Sequence, residues 1–441
     1  MQLPHEVIDL VLGLLANDPS GPEIEAIKAF SLTSSTIHAI CGPHLYSSIY
    51  FCLHSALFPD QEDYLQPDIY YPRCEISVAQ FRQIQTKKPW INHRVKRLGI
   101  VIFDERQWLK HRQWWSDLEE ILIELQHDNI EWFKLYTNSY GQSQTSPSAL
   151  SGPISKILKS PVLSTLHLYC VRNFPFYHLF AAPSKLQHLD IGNTYVDSDL
   201  GQSESSVPFK SQIKLDSLTL RWGCHQNIIT IGTWDSMQQM SFIDPLVDVS
   251  SLSSFAMRLT HGDRERDIAL TCLILDSAKN IERFTLHSST HEFELCKPTS
   301  LASSIERQSA TLHTLALTWR FIHIFPVLSH VPELLEIGPK LFNVRHIQLQ
   351  ILFPTTLPPN IRQGPVWNED EWVRLSSSLS RFPALRSLDL CMGVTEPRHP
   401  KSRAMQKLAE EWLEKAQNMI SEQLDPNVVS MQFTRSVKFR L

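Results

Sequence analysis

The residues nearest to a chemical constellation are His287, His291 and Cys296, in the stretch HSSTHEFELC. Imidazole and thiolate bind zinc well, but a zinc site needs four ligands, usually in closely spaced pairs. Neither a fourth ligand nor paired spacing is present, so the stretch reads as a surface loop with two histidines. The chain holds no H-E-x-x-H, no G-x-x-x-x-G-K-S/T, no G-x-G-x-x-G and no G-x-S-x-G. It therefore lacks the sequence signatures of a zinc hydrolase, a phosphate cradle, a dinucleotide turn and a nucleophile elbow. With 14 glycines among 441 residues, few loops are suited to cradling phosphate. No metal, no cofactor and no catalysis by this chain are expected. The eight cysteines, at 41, 52, 74, 170, 224, 272, 296 and 391, form no C-x-x-C pair and read as free thiols.

The remaining candidates are cations and aromatics that recur at fixed places in a repeat. Its template is an apolar residue followed by apolar residues three and five positions later. It reads VKRLGI from Val95, IEWFKL from Ile130, LSTLHL from Leu163, LQHLDI from Leu186 and LDSLTL from Leu215. It continues as LSSFAM from Leu252, IERFTL from Ile281, LHTLAL from Leu312, VRHIQL from Val344 and LRSLDL from Leu385. The last two apolar positions are two apart, which places both on one face of a strand. Between strands lie stretches with helical spacing: Trp115, Leu118, Leu122 and Leu125; Ile154, Ile157 and Leu158; Leu301 and Ile305; Trp372, Leu375 and Leu379. Asn368 with Glu371 has the form of a capping box.

Each unit is a short strand and a helix, too small to bury its own apolar face. Stacking such units yields an α/β solenoid with a parallel sheet on the concave side and helices on the convex side. The pattern resembles the leucine-rich repeat family over residues 92–395, with a wandering period and mostly without the Asn or Cys that usually follows the strand. A generic α/β domain with similarly spaced strands is the competing reading. The segment KSRAMQKLAEEWLEKAQNMISEQL, in the span 396–441, carries its apolar residues within about 140° and reads as a capping helix ahead of a tail.

Positions two, four and six after the first apolar residue of the template are expected to face solvent. They hold Arg97, Lys134, Arg221, Arg258 and Arg283 against only Asp190 and Asp389, together with His167, His188, His287, His346, Tyr136 and Tyr169. In a chain of net charge −5, that is a local reversal of sign. It points to an acidic or phosphorylated protein substrate, contacted by Tyr136, Tyr169, Arg221, Arg258 and Arg283, the arginines acting as fork-shaped donors. A solvated mixed surface is the bland alternative.

Residues 1–50 fall outside the repeat. In LPHEVIDLVLGLL, Pro4 suits a first helical turn, and the apolar residues span about 200° where one-sided packing needs about 100°. Two further short helices and a strand-like end follow. Leu3, Pro4, Glu6, Val7 and Ile8, then FSLTSS from Phe30 and HLYSSIYF from His44, resemble an F-box of the type common in mushroom-forming fungi. The family's Val-Ser/Cys-x-x-Trp is replaced here by TSSTIHAI from Thr33. The resemblance implies a substrate-recognition adaptor that docks on a Skp-type subunit of a cullin–RING ubiquitin ligase. The docking contacts it implies are Leu3, Pro4, Val7, Ile8, Val11 and Leu15. The other use for the extra apolar arc is packing against the linker and first repeat. Residues 51–91 read as that linker, ending in a helix with Val78, Phe81 and Ile84 on one side.

The small net charge gives no drive toward nucleic acid or acidic membranes. The N-terminus has no Lys or Arg before residue 28, so it is no secretory signal, and no run reaches transmembrane length. Cytosol or nucleus is the expected location. The alternative function is a leucine-rich-repeat binding scaffold, not engaged in ubiquitination, whose F-box-like start only caps the solenoid.

Overall fold

The computed structural model describes residues 5–17, 22–53, 77–102, 112–137, 148–169, 171, 185–192, 213–221, 247–259, 264–289, 299–320, 330–353, 367–394, 403–425 and 428–436. They fall into two compact units, divided between residues 213 and 214 of the described chain. The first begins with three helices, α1 (His5–Asn17), α2 (Pro22–Ser31) and α3 (Ser35–Leu45), followed by β1 (Ser48–Leu53). Then come α4 (Val78–Lys87), β2 (Arg97–Ile102), α5 (Arg112–Glu124), β3 (Trp132–Thr137), α6 (Ser148–Leu158), β4 (Thr165–Tyr169) and β5 (His188–Gly192). A two-residue strand, β6 (Ile213–Lys214), precedes the second unit's β7 (Ser217–Arg221), the equally short β8 (Val247–Asp248) and β9 (Ser254–Arg258). The rest alternates: α7 (Arg264–Ser277), β10 (Arg283–Ser289), α8 (Thr299–Arg307), β11 (Thr314–Arg320), α9 (His330–Leu335), β12 (His346–Phe353), α10 (Glu369–Leu379), β13 (Ser387–Val394), α11 (Arg403–Gln423) and β14 (Ser430–Ser436).

All ten template matches are strands. In the first unit β1 to β5 lie side by side and parallel; in the second, β7 and β9 to β14 do the same. The register aligns the template with itself, so Leu98, Phe133 and Leu166 form one row across three strands, and Phe255, Phe284 and Leu315 another. Successive helices also touch: α4 on α5 and α5 on α6, then α7 on α8 and onward to α11. Parallel strands need crossovers, and these helices are the crossovers. Each unit is therefore an α/β array of strand–helix repeats on a parallel sheet.

A backbone device sets the register. The carbonyl at the template's second position accepts two N–H groups from the next strand's start. Lys96 O accepts from Glu131 and Trp132 at 2.8 and 3.1 Å, and Glu131 O from Ser164 and Thr165 at 2.8 and 3.1 Å. Asp216, Ser253, Glu282, His313 and Arg345 repeat the arrangement in the second unit. Asn129 and Asn343, each just before the template, add side-chain bonds to the His93 and Ala310 carbonyls of the preceding repeat at 3.0 and 2.7 Å.

The array is longer than the ten matches. Ser47 O accepts from Lys96 and Arg97, so β1 obeys the same rule, while at β14 Arg386 O accepts from Ser430 alone because the Val429 N–H turns to the Asp425 carbonyl. Tyr46, Ile49 and Phe51 then occupy the template's apolar positions, as do Val428, Met431 and Phe433. The strand-like end assigned to the N-terminal module is thus the sheet's first strand, and the C-terminal span carries a strand after its helix. That helix, α11, buries Met405, Ala409, Trp412, Leu413, Ala416 and Ile420. At α10, Asn368 is the N-cap residue, but its side chain makes no capping hydrogen bond.

The second sheet face differs between units. In β7 and β9 buried and half-buried residues alternate, whereas in β2 and β3 every residue after the first is buried. Side chains close that face in the first unit. The ring of Tyr50 lies over Gly99, where an added Cβ would stand 2.5 Å from its Cε1. Gly99→Ala should destabilise the first unit by about 1–3 kcal/mol through overpacking. Replacing Tyr50 by Ala in the same chain should recover part of that cost. Amide hydrogen exchange in β1 to β3 of the two single variants and the double variant checks this, and strictly additive costs would remove the explanation.

Candidate partner-binding surfaces

In the three-helix module, Leu12, Ile27 and Cys41 form the buried centre, with Ile8, Ile37, Ile40 and Leu45 packed around them. The Ser34 side chain caps α3 by accepting from the Ile37 N–H at 3.1 Å. His44 Nε2 meets Asp9 Oδ1 at 2.8 Å and ties α3 to α1. Burial pushes the Cys41 thiol up, and the side chain packs within the module's core.

With Ile8 and Leu12 turned inward, α1 presents Val7, Leu10 and Val11 to solvent, Leu10 at 65% exposure. At about 100° per residue these three span an arc of about 100° beside the inward pair. Phe30 and Leu32, where α2 ends, are also exposed, Leu32 at 85%. Of the anticipated docking residues, Val7 and Val11 lie on the exposed stripe, while Ile8 is half-buried in the module's core. Leu3 and Pro4 fall outside the described residues, and so does the Leu15 side chain. Leu10 was not among the anticipated contacts, although the helical angle alone sets it beside Val7 and Val11.

On the first unit's sheet, Lys134, His167 and Asp190 follow one another across β3, β4 and β5, with Tyr136 and Tyr169 two residues on. The Tyr169 hydroxyl donates to Asp190 Oδ2 at 2.5 Å, and His167 Nδ1 lies 3.5 Å from that oxygen. Lys134 Nζ sits 5.7 Å from the Tyr169 ring centroid, in cation–π range. Tyr50, Trp132 and His167 continue the cluster, with ring centroids 5.7 and 5.1 Å apart in succession. Lys134 is only 3% exposed, and Tyr136 and Tyr169 are buried as well. The solvent-facing position anticipated for them is not what the fold gives. There Tyr169 meets Lys134 with its ring and Asp190 with its hydroxyl, joining the three strands.

On the second unit's sheet, Arg221, Arg258 and His287 are direct register partners on adjacent strands, which lie about 4.8 Å apart. Arg283 is exposed but stands at the other end of β10, four residues before His287 and so about 13 Å away along the strand. The three arginines are one pair and one separate cation, not a single cluster. Nearby, His346 Nδ1 bonds Ser387 Oγ at 2.6 Å, and its Nε2 lies 3.5 Å from Asp389.

His287 belongs to β10, while His291 and Cys296 lie outside the described residues. Among the described residues, no group of three His, Cys, Asp or Glu is placed to hold a metal ion. Nor is any described helix long and apolar enough to cross a membrane. No family model matches the chain, and no curated protein aligns with it as a relative.

Proposed function

We propose that this chain is the substrate-recognition adaptor of a Skp–cullin–F-box type ubiquitin ligase, itself non-catalytic and working in the cytosol or nucleus. The N-terminal F-box-like helices dock the Skp-type subunit, and the leucine-rich-repeat-like array binds a protein substrate. The observation that carries this reading is the exposed stripe of Val7, Leu10 and Val11 on a helix whose other side already fills the module's core. An apolar face left over after the core is built is suited to burial by a partner. The F-box-like residues around it supply the class of partner.

One observation favours the scaffold reading. Helix α3 runs directly into β1, the first strand of the first unit's sheet, and its Tyr46 and Gly42 pack on Trp90 of the turn before β2, so the helical module is also built onto that end of the array. Co-purification with a Skp-type subunit separates the two. Val11→Asp should weaken capture at least tenfold, since a carboxylate would be desolvated in an apolar interface. The array itself should be undisturbed. Equal capture by wild type and variant, or no capture by either, would leave the scaffold reading in its place.

A further inference from the structure

A surface groove of about 420 Å³ lies in the first unit between α3 and the 3₁₀ turn Pro89–His93 that follows α4. One wall is the indole of Trp90, which is 41% exposed although few side chains gain more from burial. The indole is held in place. The Tyr46 ring meets it edge-on at 6.3 Å, and a Cβ on Gly42 would stand 3.3 Å from its Cη2. The missing side chain at Gly42 is what lets the ring close onto α3. In the opposite wall, Pro43 lies inside the helix and has no N–H to give the Ala39 carbonyl. One backbone acceptor lining the groove is thereby released from the i→i−4 ladder.

Among the described residues, the lining carries the cations Lys88 and Arg94 and the imidazole of His38, and no carboxylate. Among the described residues, none of these three side chains makes an ion pair or hydrogen bond. Other surface cations do find acids: Arg82 pairs with Glu120 and Glu124, and Lys96 with Glu131. In a chain of net charge −5, an aromatic groove with one sign of charge is a local exception.

We propose that this groove binds an acidic, unphosphorylated peptide segment of a partner protein. One carboxylate would be set against Lys88 and Arg94, and an apolar residue beside it would lie on the Trp90 face. Charge complementarity selects the occupant, since cations without acids favour carboxylates and penalise basic chains. The rigid indole gives the neighbouring apolar residue a platform at little entropic cost. The inference stands on the groove alone and does not need the adaptor reading.

The test uses the full chain and a fluorescein-labelled peptide, Glu-Glu-Leu-Glu-Glu, followed by anisotropy at low and high salt. Binding should weaken with salt and be lost for the peptide Gln-Gln-Leu-Gln-Gln. The double change Lys88→Glu with Arg94→Glu should weaken it at least tenfold. Trp90→Ala should weaken it severalfold, less so when the central residue is Ser. Arg381→Glu, an exposed cation in the second unit, should leave binding unchanged. The melting temperature of the Lys88→Glu/Arg94→Glu variant should match wild type, and Trp90→Ala should keep the amide protection of α3 and β1, which separates lost binding from lost fold. Unchanged binding in either groove variant would overturn the proposal, as would no binding of the acidic peptide at millimolar concentration. Tighter binding of a phosphoserine peptide than of its Glu counterpart would also overturn it, in favour of a phosphate reader.

Discussion

Phe284→Ala is expected to lower the stability of the second unit by about 3–5 kcal/mol. The ring is fully buried near the start of β10, stacked on Phe255 with centroids 5.8 Å apart. Its neighbours on the two flanking strands are Phe255 and Leu315 in direct register. Removing it opens a cavity in the layer between strands and crossover helices, and a tightly held sheet closes such a cavity only in part. Each repeat is stabilised mainly by its neighbours, so the loss spreads to β9 and β11. Hydrogen exchange is the suitable measurement, because a chain of two units has no single unfolding free energy. Amide protection in β9 to β11 should fall by about 10²–10⁴-fold, with the first unit unaffected. Undiminished protection in those strands would show that the stacked pair does not hold the array together.

Leu12→Asp and Val11→Asp should act in opposite ways although they are adjacent. Leu12 is at the centre of a small core with Ile27 and Cys41. A carboxylate there either stays charged without solvent or takes up a proton, and the apolar contacts are lost in both cases. The cost, roughly 4 kcal/mol or more, exceeds what three short helices hold in reserve. The module should unfold and capture of any partner should vanish with it. Val11→Asp sits on the exposed stripe, where surface changes cost about 0.5 kcal/mol or less. It should keep the protection of α1 to α3 and lose only the partner. Leu12→Met should behave as wild type, because the swap conserves volume. If Leu12→Asp retained both protection and capture, the inward stripe assigned to α1 would be wrong.

The strands were legible because two apolar residues at a spacing of two, preceded by a third, survive every change of the residues between them. Strands β1 and β14 carry the same signal in Tyr46, Ile49 and Phe51 and in Val428, Met431 and Phe433. Reading the template with aromatic first residues, and past the capping helix, recovers both. The packing of α11 was legible from its narrow apolar arc, and the exposed stripe of α1 was implied by its excess width. Burial of Lys134, Tyr136 and Tyr169 was not, because the template describes only one face of the sheet. Gly99 was the available hint: a glycine inside a strand marks a place where something else comes close. The separation of Arg283 from Arg221 and Arg258 needed the register, since equal offsets within a repeat fix a face and not a distance. The groove at Trp90 joins α3 to a turn more than 40 residues later, a proximity no local pattern contains.

The carbonyl that accepts two N–H groups at most of the described strand starts separates two things that usually vary together. Template starts are 23 to 41 residues apart within the ten matches, yet every strand pair on each sheet is aligned at the same step. Length can be added or removed between strands without moving any residue to the opposite face. Crossovers in such a chain are free to diverge while the displayed side chains keep their rows and columns. A family built on this plan would therefore align poorly by sequence along its helices and loops and still superpose strand for strand, with kinship preserved in the order of its rows rather than in the distance between them.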